Sequence, residues 1–322
     1  MKQVTDSSLG DQTGSQLMPR STRPRNRNTS RPWLKSRNAK GLAYAAPTIG
    51  FVGLFFVAPL VLVFWMSANK WPLLRGRKGV NLPQNFTDLK HNDLVTQSIW
   101  FTVKYTILVT IALMSAAMIL ALLVQGRRRS VGVFRTAFFV PSVLGLASAS
   151  FLFYGLYSPS IGPLNTIFRD IGLTNHPISW LGSPNSALFS TIVLIVWKFS
   201  GFYMLILMVG LQGIPLEIYE AATVDGASRL QAFRRITLPL LRPTLALMFI
   251  LSITGSLVAF DQFYILTPDS AATKTVTVVI VIFREAFTRQ NLGTAAALSV
   301  VVLVVLLILN ALQFRGLRGN DK

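Results

Sequence analysis

The sequence predicts an all-α membrane protein of six transmembrane helices with both termini in the cytoplasm. Three observations lead there. Hydrophobic residues fill 52% of the 322 positions and charged residues only 13%, where a soluble domain carries about 25% charged residues. Six segments stay apolar for about 20 residues or more, the length a helix needs to cross the hydrocarbon core. The cationic residues gather between these segments and in the N-terminal tail. A helix satisfies its own backbone hydrogen bonds in lipid. A barrel would need short alternating strands, which are not legible here.

Residues 1–40 are polar and hold nine Lys/Arg and two Asp. Such a stretch lacks the apolar surface to fold and reads as a disordered, basic cytoplasmic tail. The apolar run that follows is too long for the core of a cleaved signal peptide and has no clear cleavage site. The six-helix domain then occupies 41–316, with spans near 42–66, 100–124, 133–157, 187–211, 243–266 and 293–314, and a short cytoplasmic end at 317–322. The β-branched run Thr275–Phe283 is too short to span. It reads as a short helix packed in an outer loop, with a re-entrant element or a buried strand-like stretch as the alternatives. With the tail inside, the inner side collects twenty Lys/Arg and the outer loops nine, five of them in Ser67–Ile99. That bias sets the orientation, although the first outer loop is more basic than usual.

Several function classes drop out. The net charge of +19 follows membrane topology, not a nucleic-acid groove. Without cysteine there is no disulfide, thiolate metal site or Cys nucleophile, and His91 and His176 are too few for a metal centre. No Gly-x-x-x-x-Gly-Lys-Ser/Thr phosphate loop is present, as ATP hydrolysis of that kind would require. No soluble enzyme domain, inverted repeat or facing His, Asp and Ser constellation is evident, which points away from an intramembrane enzyme and a secondary transporter.

The informative stretch runs from Ile214 to Pro239, inside the cytoplasmic loop 214–240. Pro215 suits a first helical turn, and Glu217 and Glu220 lie where the helix dipole favours negative charge. Gly226 can take the left-handed conformation that stops a helix. Ser228 and Gln231 form a capping box for a second helix, which Pro239 should end before the fifth span. The plain reading is an amphipathic loop resting on headgroups. Two separately capped helices say more than a linker needs, so the sharper reading is a docking element. Ala221 and Ala222 would admit another surface closely, and Glu220 would meet a basic partner residue.

Glu220-Ala221-Ala222, Gly226 four residues later, and Ile236-x-Leu238-Pro239 resemble the EAA loop of binding-protein-dependent ABC importers. Trp197-Lys198, Gly201-Phe202, Gly210-Leu211-Gln212-x-Ile214-Pro215 and Asn85-Phe86 resemble the maltose- and glycerol-phosphate-type sugar permeases in particular. The likeness covers roughly 42–316 and departs at Thr267-Pro268-Asp269-Ser270-Ala271, where the family commonly has a Thr-x-Gly-Gly-Pro-like turn. The resemblance implies a type I importer permease in a bacterial cell membrane, with a first accessory helix and five core spans. It implies coupling to an ATPase through Glu220, Ala221, Ala222, Asp225, Gly226, Ile236, Leu238 and Pro239. The implied partners are a second homologous permease, two ATP-binding subunits that use ATP and Mg, an extracytoplasmic solute-binding protein and the surrounding lipid. No cofactor is implied for this chain. The implied cargo is a carbohydrate, with glycerol phosphate or another small solute as the alternative. A secondary transporter or a signalling protein would have no use for the EAA loop.

Lys198 lies midway along the fourth span and Asp261 near the outer end of the fifth. A charge at mid-bilayer costs about 2.5–3.5 kcal/mol on insertion scales, so both should face protein. A ligand path built from Trp197, Lys198, Tyr203, Phe260, Asp261 and Gln262 would combine aromatic faces with a few polar groups. Alternatively, Lys198 pairs with backbone carbonyls or a partner subunit, and Asp261 reaches the interface. Because the chain has no phosphate loop, we expect a verified single-chain preparation to hydrolyse no ATP in a phosphate-release assay, with robust turnover overturning the assignment.

Overall fold

The computed structural model describes residues 32–126, 129–268 and 274–318. The tail reading for 1–31, most of the departure at 269–273 and the end at 319–322 lie outside these residues. The chain divides into two units, residues 1–57 and 58–322. In the first, helix α1 (Pro32–Val52) carries Pro47 inside it and runs into a π turn at Gly53–Val57. Residues 32–40, assigned above to the disordered tail, are therefore helical.

The second unit opens with α2 (Ala58–Ser67) and a two-stranded antiparallel hairpin, β1 (Asn69–Lys70) and β2 (Gly79–Val80). Next come α3 (Gln84–Lys90), α4 (Asp93–Leu123), α5 (Arg129–Val143), α6 (Leu146–Leu156), α7 (Pro163–Asp170) and α8 (Pro184–Gln212). The loop helices follow as α9 (Leu216–Val224), α10 (Arg229–Ala232) and α11 (Leu238–Leu240). The last elements are α12 (Arg242–Leu257), α13 (Asp261–Leu266), α14 (Val278–Phe283) and α15 (Leu292–Arg318).

Four helical stretches among the described residues are long and apolar enough to cross a membrane: Tyr44–Ser67, Asp93–Leu123, Pro184–Gln212 and Leu292–Gly316. The third and fifth spans are not the straight helices expected. The third is bent by 97° between Val143 and Leu146. Gly145 there takes an extended conformation, φ −60° and ψ 142°, and starts a new helix. In the fifth, α12 has 16 residues, about 24 Å at 1.5 Å per residue. That falls short of an about 30 Å hydrocarbon core. The chain stops at Val258 and restarts as α13 at Asp261. Windowed hydropathy sums these pieces into single spans because it carries no directional information.

Helices α4 and α8 form the centre, with α5 against α8, α12 against α4, and α15 against α2. A side chain on Gly201 would collide with the backbone of Phe138, so only glycine allows α8 and α5 to approach this closely. One buried cluster gathers Tyr105, Leu194, Phe263, Leu266, Val276 and Ile280 toward the hairpin end. A second gathers Ala117, Met204, Leu207, Leu241 and Met248 toward the α9–α11 end. Polar side chains join the helices through Thr110 Oγ1 and Ser252 Oγ at 2.9 Å, and Thr254 Oγ1 donating to Asn310 Oδ1 at 3.3 Å. Such bonds are worth on average about 0.6 kcal/mol in a membrane bundle.

The run Thr275–Phe283 is a short helix in part, but not a peripheral one. Val276, Ile280 and Val281 are buried in the first cluster. Thr277 Oγ1 donates to Ala259 O at 2.8 Å, and Val278 N to Thr102 Oγ1 at 3.1 Å. These bonds let irregular backbone enter the core, as expected only where protein, not lipid, surrounds it.

Candidate functional site

Two regions concentrate the residues singled out from the sequence. The first is the two-helix loop. Gly226, at φ +78°, closes α9 with paired bonds, Ala227 N to Ala222 O at 2.9 Å and Gly226 N to Thr223 O at 3.1 Å. This is a Schellman stop, whose left-handed residue is normally glycine. The capping box is formed: Gln231 N donates to Ser228 Oγ at 3.3 Å, and Ser228 N to Gln231 Oε1 at 2.7 Å. Tyr219 Oη and Thr237 Oγ1 lie 2.9 Å apart and tie the two helices together.

Glu220, Ala221 and Asp225 are exposed, while Ile236, Leu238 and Pro239 are half-buried. Ala222, expected to admit a partner closely, is largely covered by its own chain. The loop also presents Leu216, Leu230 and Val224, the last 88% exposed. Pro239 does not end the second helix. Leu238 N donates to Phe233 O across a π turn at Phe233–Thr237, so the helix is already widened where Pro239 lacks a donor. It continues to Leu240 and bends by 67° into α12.

The second region is a cavity of about 400 Å³ among α4, α8, α12 and α13. Of the six residues proposed for a ligand path, Tyr203, Phe260, Asp261 and Gln262 line it. Phe260 stacks on Tyr264, ring centroids 5.0 Å apart. Asp261 is half-buried at the start of α13. Gln262 is only 2% exposed. Its Nε2 donates to Tyr105 Oη at 3.2 Å, and its Oε1 has no hydrogen-bond partner among the described residues. An unmatched buried acceptor costs free energy, and beside a cavity a water or a bound molecule can supply the missing donor.

Trp197 and Lys198 are not among the cavity residues. Trp197 packs at 5.1 Å from Phe153. Lys198, 3% exposed, donates to Ser142 O at 3.2 Å and to Leu144 O. It therefore satisfies carbonyls freed at the bend between α5 and α6, and its Nζ lies 4.7 Å from the Phe199 ring centroid. The backbone-pairing alternative describes this lysine. The sequence reading missed Tyr105, Phe199, Phe202, Ser252 and Ser256, which also line the cavity, alongside apolar residues such as Val109, Leu146 and Ile195. A signal existed for two of them: Ser252 and Ser256, with Gly255, fall at i, i+3 and i+4 and so share one face of α12.

Residues 114–315 match the family described as binding-protein-dependent transport system inner membrane component. The lactose transport system permease protein LacF of Rhizobium radiobacter is 32% identical over 297 residues, covering 90% of this chain and 98% of that protein. The trehalose/maltose transport system permease protein MalF of Thermococcus litoralis is 31% identical over 279 residues, covering 85% and 92%. Among solved structures, a chain of a bacterial ABC transporter involved in import of the acidic polysaccharide alginate shares the fold. Its TM-score is 0.74 at 24% identity, over 88% of this chain and 98% of that one.

Replacing Lys198 by Met would strand the Ser142 and Leu144 carbonyls. The expected loss is about 1–3 kcal/mol of stability, read as a lower Tm in detergent. Lys198→Arg should recover part of it, and neither change should alter the solute KM once protein levels are equalised.

Proposed function

Because the chain belongs to the binding-protein-dependent transport system inner membrane component family, we propose that it forms half of the path by which an ATP-driven importer carries a neutral carbohydrate into the cell. The cavity is the observation that carries this reading. Tyr105, Phe199, Phe202, Tyr203 and Phe260 give it aromatic walls, and Ser252, Ser256 and Gln262 give it hydroxyl and amide groups. Rings cover the C–H faces of a sugar, and the few polar groups fix its hydroxyls, the usual division of labour in a ligand site. The relatives named for lactose and for trehalose and maltose support the class. No Lys or Arg lines the cavity, and Asp261 does. A phosphorylated solute would meet a carboxylate without a counter-ion, so the glycerol-phosphate alternative is disfavoured.

Transport follows from two connected parts. A second homologous permease supplies the other half of the path. A solute-binding protein delivers the sugar on the side opposite the termini. A solved relative is an alginate transporter in complex with a pentasaccharide-bound periplasmic protein. Two ATP-binding subunits using ATP and Mg dock on α9–α11, where Glu220, Ala221, Asp225 and the exposed apolar residues form the contact. The Lys/Arg bias supports placing this loop and both termini in the cytoplasm.

Two variants test the two parts separately, in complexes reconstituted with their partners at matched abundance. Glu220→Lys should depress uptake and ligand-stimulated ATPase together, because a reversed charge at an interface leaves the opposite cation facing a like charge. Wild-type uptake would remove the loop from coupling. Gln262→Leu should instead raise the sugar KM about tenfold while basal ATPase persists. An unchanged KM would remove this amide from the sugar path.

A further inference from the structure

The first loop is more basic than the positive-inside bias explains, and the fold shows where its cations go. Lys70, Arg75, Arg77 and Lys78 are all exposed on the hairpin, and residues 69–80 contain no Asp or Glu. Among the described residues the ion pairs are Arg169 with Asp170 and Arg289 with Glu285, so none of the four is neutralised by a carboxylate. The hairpin is firmly held. Leu73 N donates to Gln290 O and Leu292 N to Trp71 O, both at 2.9 Å. The buried Asn85 Nδ2 donates to Ser67 O at 2.8 Å and Asn69 O at 3.0 Å. A side chain on Gly293 would collide with the Asn69 carbonyl. This scaffold needs Arg77 at most: its Nε donates to Asn69 Oδ1 at 2.8 Å, and its guanidinium lies 5.5 Å from the Trp65 ring centroid.

We propose that the hairpin binds the headgroup phosphate of an anionic phospholipid. Its position favours lipid over a soluble acidic protein. The hairpin begins two residues after Ser67, the end of an apolar stretch long enough to cross the hydrocarbon core, which is where headgroups lie. Trp65 and Trp71 pack edge to face at 5.4 Å, as aromatic residues do at a membrane interface. Leu74 and Val80 are 79% and 73% exposed, apolar side chains that suit the acyl boundary. Arg77, already oriented by Asn69 and Trp65, keeps its remaining guanidinium N–H groups for phosphate oxygens, a geometry lysine lacks. Arg75 and Lys78 on the turn side and Lys70 on the strand add the attraction of cations near an anionic surface.

The test uses the purified full-length chain in discs of equal phosphatidylglycerol and phosphatidylcholine, with retained lipids counted by native mass spectrometry. Wild type should retain phosphatidylglycerol preferentially. Arg75→Gln/Lys78→Gln, which leaves the Arg77 contacts in place, should cut that preference about tenfold. The charge-conserving Arg75→Lys/Lys78→Arg should keep it. Arg77→Lys should lower it in part. An unchanged preference in the Gln double variant would overturn the proposal. So would loss of solute-binding-protein docking by that variant with lipid retention intact, which would give the cations to a protein partner. Lipid retention is read without transport, so the outcome stands whatever the imported solute proves to be.

Discussion

Backbone polar groups in a hydrocarbon layer must find partners within the protein. Wherever a spanning helix is interrupted, carbonyls and amides are released that lipid cannot serve. At the bend between α5 and α6, the Lys198 ammonium reaches the Ser142 and Leu144 carbonyls. The arrangement resolves two problems at once. A buried cation would be costly alone, and so would buried carbonyls without donors. Together they permit a 97° turn in a segment that composition alone would render as one straight helix. Gly201 beside Lys198 contributes the space, since α5 passes directly over it.

The second interruption is served differently and has a different use. Between α12 and α13, Thr277 Oγ1 donates to the Ala259 carbonyl, so the neighbouring buried segment stabilises the break. Ending α12 at Leu257 also turns Phe260, Asp261 and Gln262 toward the cavity at the start of a new helix. A continuous helix would have spaced these three about 100° apart and sent at least one toward another face. The Gln262–Tyr105 bond then joins the break to α4. One break is sealed by a charge and the other by a hydroxyl, and Leu146 just after the first and Phe260–Gln262 just after the second both line the cavity.

These differences mark what the sequence could reveal. Hydropathy marked the second apolar segment at 100–124, but its helix begins at Asp93; local chemistry located the Gly226 stop and the Ser228–Gln231 box, because both depend on neighbours close in the chain. The bends depend on donors far away: Lys198 lies 54 residues from Leu144, and no window contains both. The same reason hid Tyr105 and Ser252 from the cavity reading. The burial of Ala222 was hidden for a related cause. A small residue on an amphipathic loop helix can admit a partner or the chain's own core, and helical spacing cannot choose. Lys198 was legible as facing protein, with backbone carbonyls among the alternatives for it, but not which carbonyls they are.

The loop and the cavity are joined by one helix. The bond between Tyr219 and Thr237 ties α9 to the segment that leads through α11 to Leu241, a fully buried residue at the bend. Helix α12 begins there and carries Ser252 and Ser256 in the cavity wall. At 1.5 Å per residue, Ser252 lies about 16 Å along the axis from Leu241. Over that length an α-helix transmits displacement because its hydrogen bonds are internal, and Thr110 beside Ser252 passes it on to α4. If α9 is the coupling face proposed above, α12 is the element that links it, across the 67° bend, to the serine hydroxyls of the cavity. The break after Leu257 keeps α13, with Asp261 and Gln262, from following as one body.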